Sequence, residues 1–84
     1  MIEVRVEQPI ERIIDHSIYP RQALADARQA YKEYCIFKVS PMSHGRAAIQ
    51  IQVKPAQVAD TRQIVLEFFN YALDRAVQIQ LSKS

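Results

Sequence analysis

The stretch Asp60 to Leu81, DTRQIVLEFFNYALDRAVQIQL, carries the largest apolar run of the chain and contains neither glycine nor proline. Set at roughly 100° per residue, Ile64, Phe68, Ala72, Val65, Ala76, Phe69, Leu73, Leu66 and Val77 fill an arc of about 220°. A helix lying on one sheet needs an apolar stripe only a little wider than about 100°. Asn70, Gln63, Asp74, Glu67 and Gln78 form a narrow polar ridge. The pattern therefore predicts a helix over 60–81 with a core side and a second apolar flank, Leu66, Leu73 and Val77, which the sheet does not easily reach.

Ahead of this helix the period changes from that of a helix to that of a strand. From Ala47 to Lys54, Ile49, Ile51 and Val53 alternate with Gln50, Gln52 and Lys54, the signature of a half-buried strand. Pro55 ends it, and Ala56 to Ala59 leads to Asp60, a candidate N-cap. Cys35 to Ser40 is rich in strand formers, with Phe37 and Val39 set against Ile36 and Lys38. Between the two, PMSHGR (Pro41 to Arg46) holds the chain's single glycine, Gly45, which can take the positive φ of a tight hairpin.

Arg21 to about Tyr34 is predicted to be a one-faced helix, with Ala23, Leu24, Ala27, Ala30, Tyr31 and Tyr34 inward over about 140°. Pro20 stands at or beside its first turn, where a missing N–H does no harm. At the start, Ile2, Val4 and Val6 alternate with Glu3, Arg5 and Glu7 and predict a strand. Pro9 interrupts it, and Ile10, Ile13 and Ile14 resume or bend the extended segment. The pattern leaves open which half joins the main sheet, or whether residues 1–9 pair across a dimer.

The element order is strand, helix, strand, strand, helix. It implies an α+β fold, βαββα, in which a three-stranded antiparallel sheet has the first strand beside the third and both helices packed on one face. The other face is expected to show Glu3, Arg5, Lys38, Gln50 and Gln52 to solvent. Residues 1–84 are read as one small domain, just above the size at which a core holds without staples, about 70 to 80 residues. The composition, 49% apolar and 24% charged, is that of a folded protein. The formal charge of +2 comes from 11 basic and 9 acidic residues spread along the chain, so no dense patch announces nucleic acid. A sheet that reads RNA also needs aromatic rings on its open face, where this one has Gln50, Gln52 and Lys38. A single cysteine, Cys35, excludes an internal disulfide and fits a reducing compartment. The first residues alternate apolar with charged, unlike a signal peptide, and no run approaches the ~18 apolar residues of a membrane span. The cytoplasm is the expected location.

Catalytic chemistry has little to stand on. Asp15-His16-Ser17 has the composition of a triad, but three successive side chains diverge where a triad must converge, and a turn held by Asp15 and Ser17 explains them more simply. His16, His44 and Cys35 lack paired ligand spacing for a metal, and Cys35 follows a helix end, where nothing lowers its pKa. One glycine cannot build a phosphate-cradling loop. Partner binding is the better reading, through the α-helical flank Leu66, Leu73 and Val77 or by adding an extended peptide to a free sheet edge. Residues Ile10 to Ile14 are an alternative cover for that flank. Each such side chain buried against a partner is worth roughly 1.5 to 3 kcal/mol.

Asp15-His16-Ser17-Ile18-Tyr19-Pro20-Arg21-Gln22-Ala23-Leu24, then Ala30-Tyr31, the strand Ile49 to Val53, and Leu66-Glu67-Phe68-Phe69-Asn70-Tyr71-Ala72-Leu73-Asp74-Arg75 together resemble the small D protein of His-Xaa-Ser systems. The likeness runs from Asp15 to about Gln80; the loop PMSHGR and the segment before Pro9 lie outside it. It implies membership of a bacterial peptide-modification cluster, in which a radical S-adenosylmethionine enzyme acts on a precursor peptide with His-Xaa-Ser repeats. The implied role is that of a non-enzymatic accessory protein that binds the maturase, the precursor peptide, or both. Its contact residues would be Leu66, Phe69, Asn70, Leu73, Asp74 and Val77. No cofactor is expected on this chain, because an iron–sulfur cluster wants several cysteines and would belong to the maturase. The alternatives are a self-associating domain whose homodimer is the functional unit, and a small enzyme or metal protein using His16, His44 or Cys35.

Overall fold

A computed structural model describes residues 9–54 and 60–82. Three strands and two helices follow one another as β1 (Ile10–Asp15), α1 (Arg21–Ala30), β2 (Cys35–Pro41), β3 (Arg46–Val53) and α2 (Thr61–Ser82). The strands form one antiparallel sheet in the order β1-β3-β2, with Ile10 opposite Ile51 on one side of β3 and Cys35 opposite Val53 on the other. This is the α+β, βαββα arrangement that the sequence predicts.

β3 is central because its alternation gives it one wholly apolar side. Ala47, Ile49, Ile51 and Val53 are all buried, whereas Ala48, Gln50 and Gln52 on the opposite side are partly exposed. The hairpin that leads into it closes through the Met42 N–H, which donates to the Arg46 carbonyl at 2.9 Å. Gly45 has φ 71° there, as its role requires, and His44 before it has φ 63°. Two successive left-handed residues match the twist of a hairpin, and histidine tolerates that region better than most.

Of the two halves of the N-terminal pattern, it is Ile10–Asp15 that lies along β3. The strand predicted around Ile2 to Val6, with Glu3 and Arg5, lies outside the described residues. Ile14 enters the core, and Ile13, one residue earlier and so on the other face, is 62% exposed.

α1 is shorter than its periodicity suggests, ending at Ala30 rather than near Tyr34. The carbonyl of Tyr31 receives the N–H groups of both Tyr34 and Cys35, at 3.0 and 3.1 Å, and this turn swings the chain into β2. Tyr34 then accepts the Lys54 N–H at 2.9 Å. The sheet ladder has taken the residue that helical periodicity assigns to α1. Pro20 sits just before the helix, its carbonyl accepting the Leu24 N–H at 3.1 Å.

Both helices lie on one face of the sheet. Leu24 and Ala27 of α1, and Ile64, Val65, Phe68 and Ala72 of α2, share a core with Ile14, Cys35 and the inward side of β3. Ala23, Ala27 and Ala72 are wholly buried, and such short side chains let the two helices come close. An aromatic seam closes one end of this layer. Phe68 stacks on Phe37 with ring centres 4.8 Å apart, and Tyr31 meets Phe68, Tyr34 and Tyr71 edge-on at 6.0 to 6.1 Å.

Candidate functional site

The outer flank of α2 is an exposed apolar feature of the helix layer. Leu66 is 56% exposed, Leu73 39% and Val77 57%. All three lie well round the helix from Ile64, Phe68 and Ala72, which face the sheet. Leu81, one turn beyond Val77, is also exposed. The alternative cover does not reach them: Ile10 to Ile14 is a sheet strand, with Ile14 turned into the core.

The remaining sequence-derived contact residues divide between the flank and the core. Asn70 and Asp74 are exposed beside Leu66, Leu73 and Val77. Phe69 is partly buried, its ring edge-on to Phe68 at 5.1 Å and to Tyr19 at 5.8 Å. It therefore ties the flank to the core instead of projecting freely from it. Leu66, Asn70, Leu73 and Val77 are separated by four, three and four residues, the seam spacing of a helix that pairs with another helix.

The opposite side of α2 is pinned to α1 by charge. Arg75 reaches Asp26 with two guanidinium nitrogens, at 2.9 and 3.1 Å, and Gln22 donates to the other Asp26 oxygen at 2.8 Å. The Arg75 hydrogen bond first, and then that of Gln22, hold the Asp26 carboxyl below its ordinary value of 3.8. A folded-state pKa below the unfolded one adds stability that is fully present above the ordinary value and is lost as pH falls through the lowered one. An Asp26→Asn variant should accordingly have a lower urea midpoint than the wild type at about pH 7, with the two midpoints converging as the pH falls below the ordinary carboxylate range. A difference that persisted in acid would mean that Asp26 acts by packing rather than by charge.

The polar residues weighed for catalysis occupy a turn. The Ser17 N–H donates to Asp15 Oδ1 at 2.8 Å, and this bond, ahead of one from the Ser17 hydroxyl, lowers the Asp15 pKa. His16 Nδ1 lies 3.0 Å from the Tyr19 carbonyl, so in the tautomer protonated there it donates across the turn, away from Ser17. His44 contacts the neighbouring Ser43 hydroxyl at 3.1 Å in the hairpin loop. Cys35 is buried, and burial pushes its thiol pKa up, with Lys54 offsetting only part of that. Among the described residues no three His, Cys, Asp or Glu side chains come together as metal ligands would.

The open face of the sheet carries Ile13 and Ile36, both more than half exposed, around Gln50, which bonds Glu11 at 3.1 Å. Phe37, the one aromatic residue of the three strands, is on the core side, against Phe68.

A basic surface also runs along α1, which the helical pattern of 21–34 does not single out. Arg21 and Arg28 on one flank of that helix, and Lys32 in the turn after it, face β2, while Asp26 lies on the flank facing α2. Their spacing of seven and four residues was the available signal; the neighbour they face was not visible without the fold.

Comparison of the chain with known protein families, with curated proteins and with solved structures finds no match. What the fold and the site define is a class: a small α+β protein of βαββα order with an apolar helix flank that no other described residue covers fully. None of its described helices is long and apolar enough to cross a membrane.

Proposed function

We propose that this chain is a non-enzymatic, cytoplasmic binding protein that engages its partner through the outer flank of α2. The observation that carries the reading is the exposure of Leu66, Leu73 and Val77 on a helix whose other side already supplies the core. The resemblance to the small D protein of His-Xaa-Ser systems supplies the context: an accessory subunit of a bacterial peptide-modification system that holds the radical S-adenosylmethionine maturase, the precursor peptide, or both. In that reading the reactive cofactors reside on the maturase, and this chain contributes a surface.

A second reading is favoured by the four-three-four spacing of Leu66, Asn70, Leu73 and Val77, which suits a helix from another copy and makes the functional unit a homodimer. An asparagine within such a seam fixes register at some expense of stability.

Changing Leu66 and Leu73 together to Lys tests both. Because both side chains are exposed and lie outside the core, the variant should keep its fold, with a thermal midpoint within several degrees of the wild type. Association, read by light scattering and by pull-down with a radical enzyme and a repeat peptide encoded beside this chain, should be lost. Unchanged assembly would remove the flank from consideration. Sedimentation of the pure wild-type protein separates the two readings, since a strict monomer disposes of the homodimer.

A further inference from the structure

The groove between α1 and the outer edge of β2 combines a free strand edge with an uncompensated positive lining. Among the described residues β2 pairs with β3 alone, and its second edge is unpaired by any of them. Which backbone groups point outward follows from the hairpin. The Met42 N–H bonds the Arg46 carbonyl and the Lys54 N–H bonds the Tyr34 carbonyl, each at 2.9 Å. Antiparallel ladders alternate, so Ile36, Lys38 and Ser40 exchange their bonds with β3, while Phe37 and Val39 turn N–H and C=O to the open edge. The Cys35 N–H is taken by Tyr31, and Pro41 has none to give, so the acceptor stretch is bounded at both ends.

Beside this edge lies the basic flank of α1. His16, Arg21, Arg28, Lys32 and Lys54 line the groove, together with apolar residues and Gln29, and no Asp or Glu lines it among the described residues. The Nε of Arg28 is buried and finds no hydrogen-bond partner. A buried donor left unpaired is costly. Arg75, by contrast, is satisfied by Asp26 on the other flank of the same helix.

From this juxtaposition we propose that the groove binds an acidic extended peptide, which adds to β2 as a fourth strand. Its backbone bonds Phe37 and Val39, and its alternate carboxylates meet Arg28 and Lys32. Arg28 and Lys32 both line the groove alongside Ile36 and Phe37 of β2. Side chains between the acidic ones point to the open sheet face, next to Ile36. This site is separate from the α2 flank and does not depend on it.

The probe is a fluorescent seven-residue peptide of alternating Val and Glu, with its Val/Lys counterpart as control, titrated by anisotropy into the full chain at low salt. The acidic peptide should bind and the basic one should not. Arg28→Glu with Lys32→Glu should weaken binding by about tenfold or more. Val39→Pro, which removes an outward N–H without touching the β3 ladder, should weaken it comparably. On the wild-type protein, the amide resonances of Phe37 and Val39 should shift and gain exchange protection when the acidic peptide is added, a readout that survives even if a variant fails to fold. Equal binding of the two peptides, or binding that leaves those two amides unmoved, would overturn the proposal. So would a dimer of the protein alone that Val39→Pro dissolves, since the occupant of the edge would then be a second copy.

Discussion

Replacing Phe68 by Ala is expected to lower the unfolding free energy by about 3 to 5 kcal/mol. Phe68 is wholly buried, and it is the residue through which α2 grips everything else. Its ring stacks on Phe37 of β2 with 28° between planes, meets Tyr31 at the end of α1 edge-on, and touches Phe69 on its own helix. Truncation removes the transfer energy of the ring, leaves a cavity between both helices and the sheet, and cancels aromatic pairings worth about 0.5 to 1.5 kcal/mol each. Domains in general have only about 5 to 15 kcal/mol in hand, and small ones sit toward the low end. The variant should therefore be partly unfolded at 37 °C and show a much lower urea midpoint, while Phe68→Leu, which keeps most of the volume, should lose less. A loss below about 1 kcal/mol for the alanine variant would mean that α2 is held chiefly by its other contacts.

The fold was legible wherever one period ran unbroken between clear stops. β3 alternates without exception up to Pro55, and α2 has no helix breaker, so both elements fall within about a residue of their expected ends. The hairpin followed from Gly45. Where the reading failed, a nonlocal bond decided. Tyr34 fits the helical period of α1, but its carbonyl is wanted by Lys54 in the sheet, and only the register between β2 and β3 reveals that competition. The alternation left open which half of the N-terminal segment joins the sheet, and the pairing of Ile10–Asp15 with β3 is likewise a nonlocal fact.

The surfaces followed the same rule. The excess apolar arc of α2 is a property of one helix, and Leu66, Leu73 and Val77 could be found from it. The groove beside β2 depends on two elements meeting. No period in Arg21, Arg28 and Lys32 says that they will overlook an unpaired strand, and the edge exists only because β3, not β2, takes the centre of the sheet. α1 is thus divided lengthwise, with Asp26 on one flank paired to Arg75 and the buried Nε of Arg28 on the other without a hydrogen-bond partner.

The two faces of the sheet give the second large effect, best measured as a contrast. Ile49 stands in the middle of the central strand, between Arg12 of β1 and Val39 of β2, and is wholly buried beneath the helices. Ile49→Ala should cost about 2 to 5 kcal/mol, because a strand fixed by partners on both sides cannot shift to fill the space. Ile36 and Ile13 are the same residue type in the same sheet, yet they point the other way and are 61% and 62% exposed. Their replacement by Ala should change stability by no more than about 0.5 kcal/mol each. Strand side chains alternate with a period of two, so a one-residue slip of β1 or of β2 against β3 would turn Ile13 or Ile36, respectively, toward the core and make its replacement costly. Chemical denaturation of the three variants therefore tests the pairing of Ile10 with Ile51 and of Cys35 with Val53 as directly as it tests packing. If Ile36→Ala or Ile13→Ala proved as damaging as Ile49→Ala while the register held, the open face of the sheet would have to be covered in solution. The acidic peptide proposed for the neighbouring edge would then share that face with a second layer.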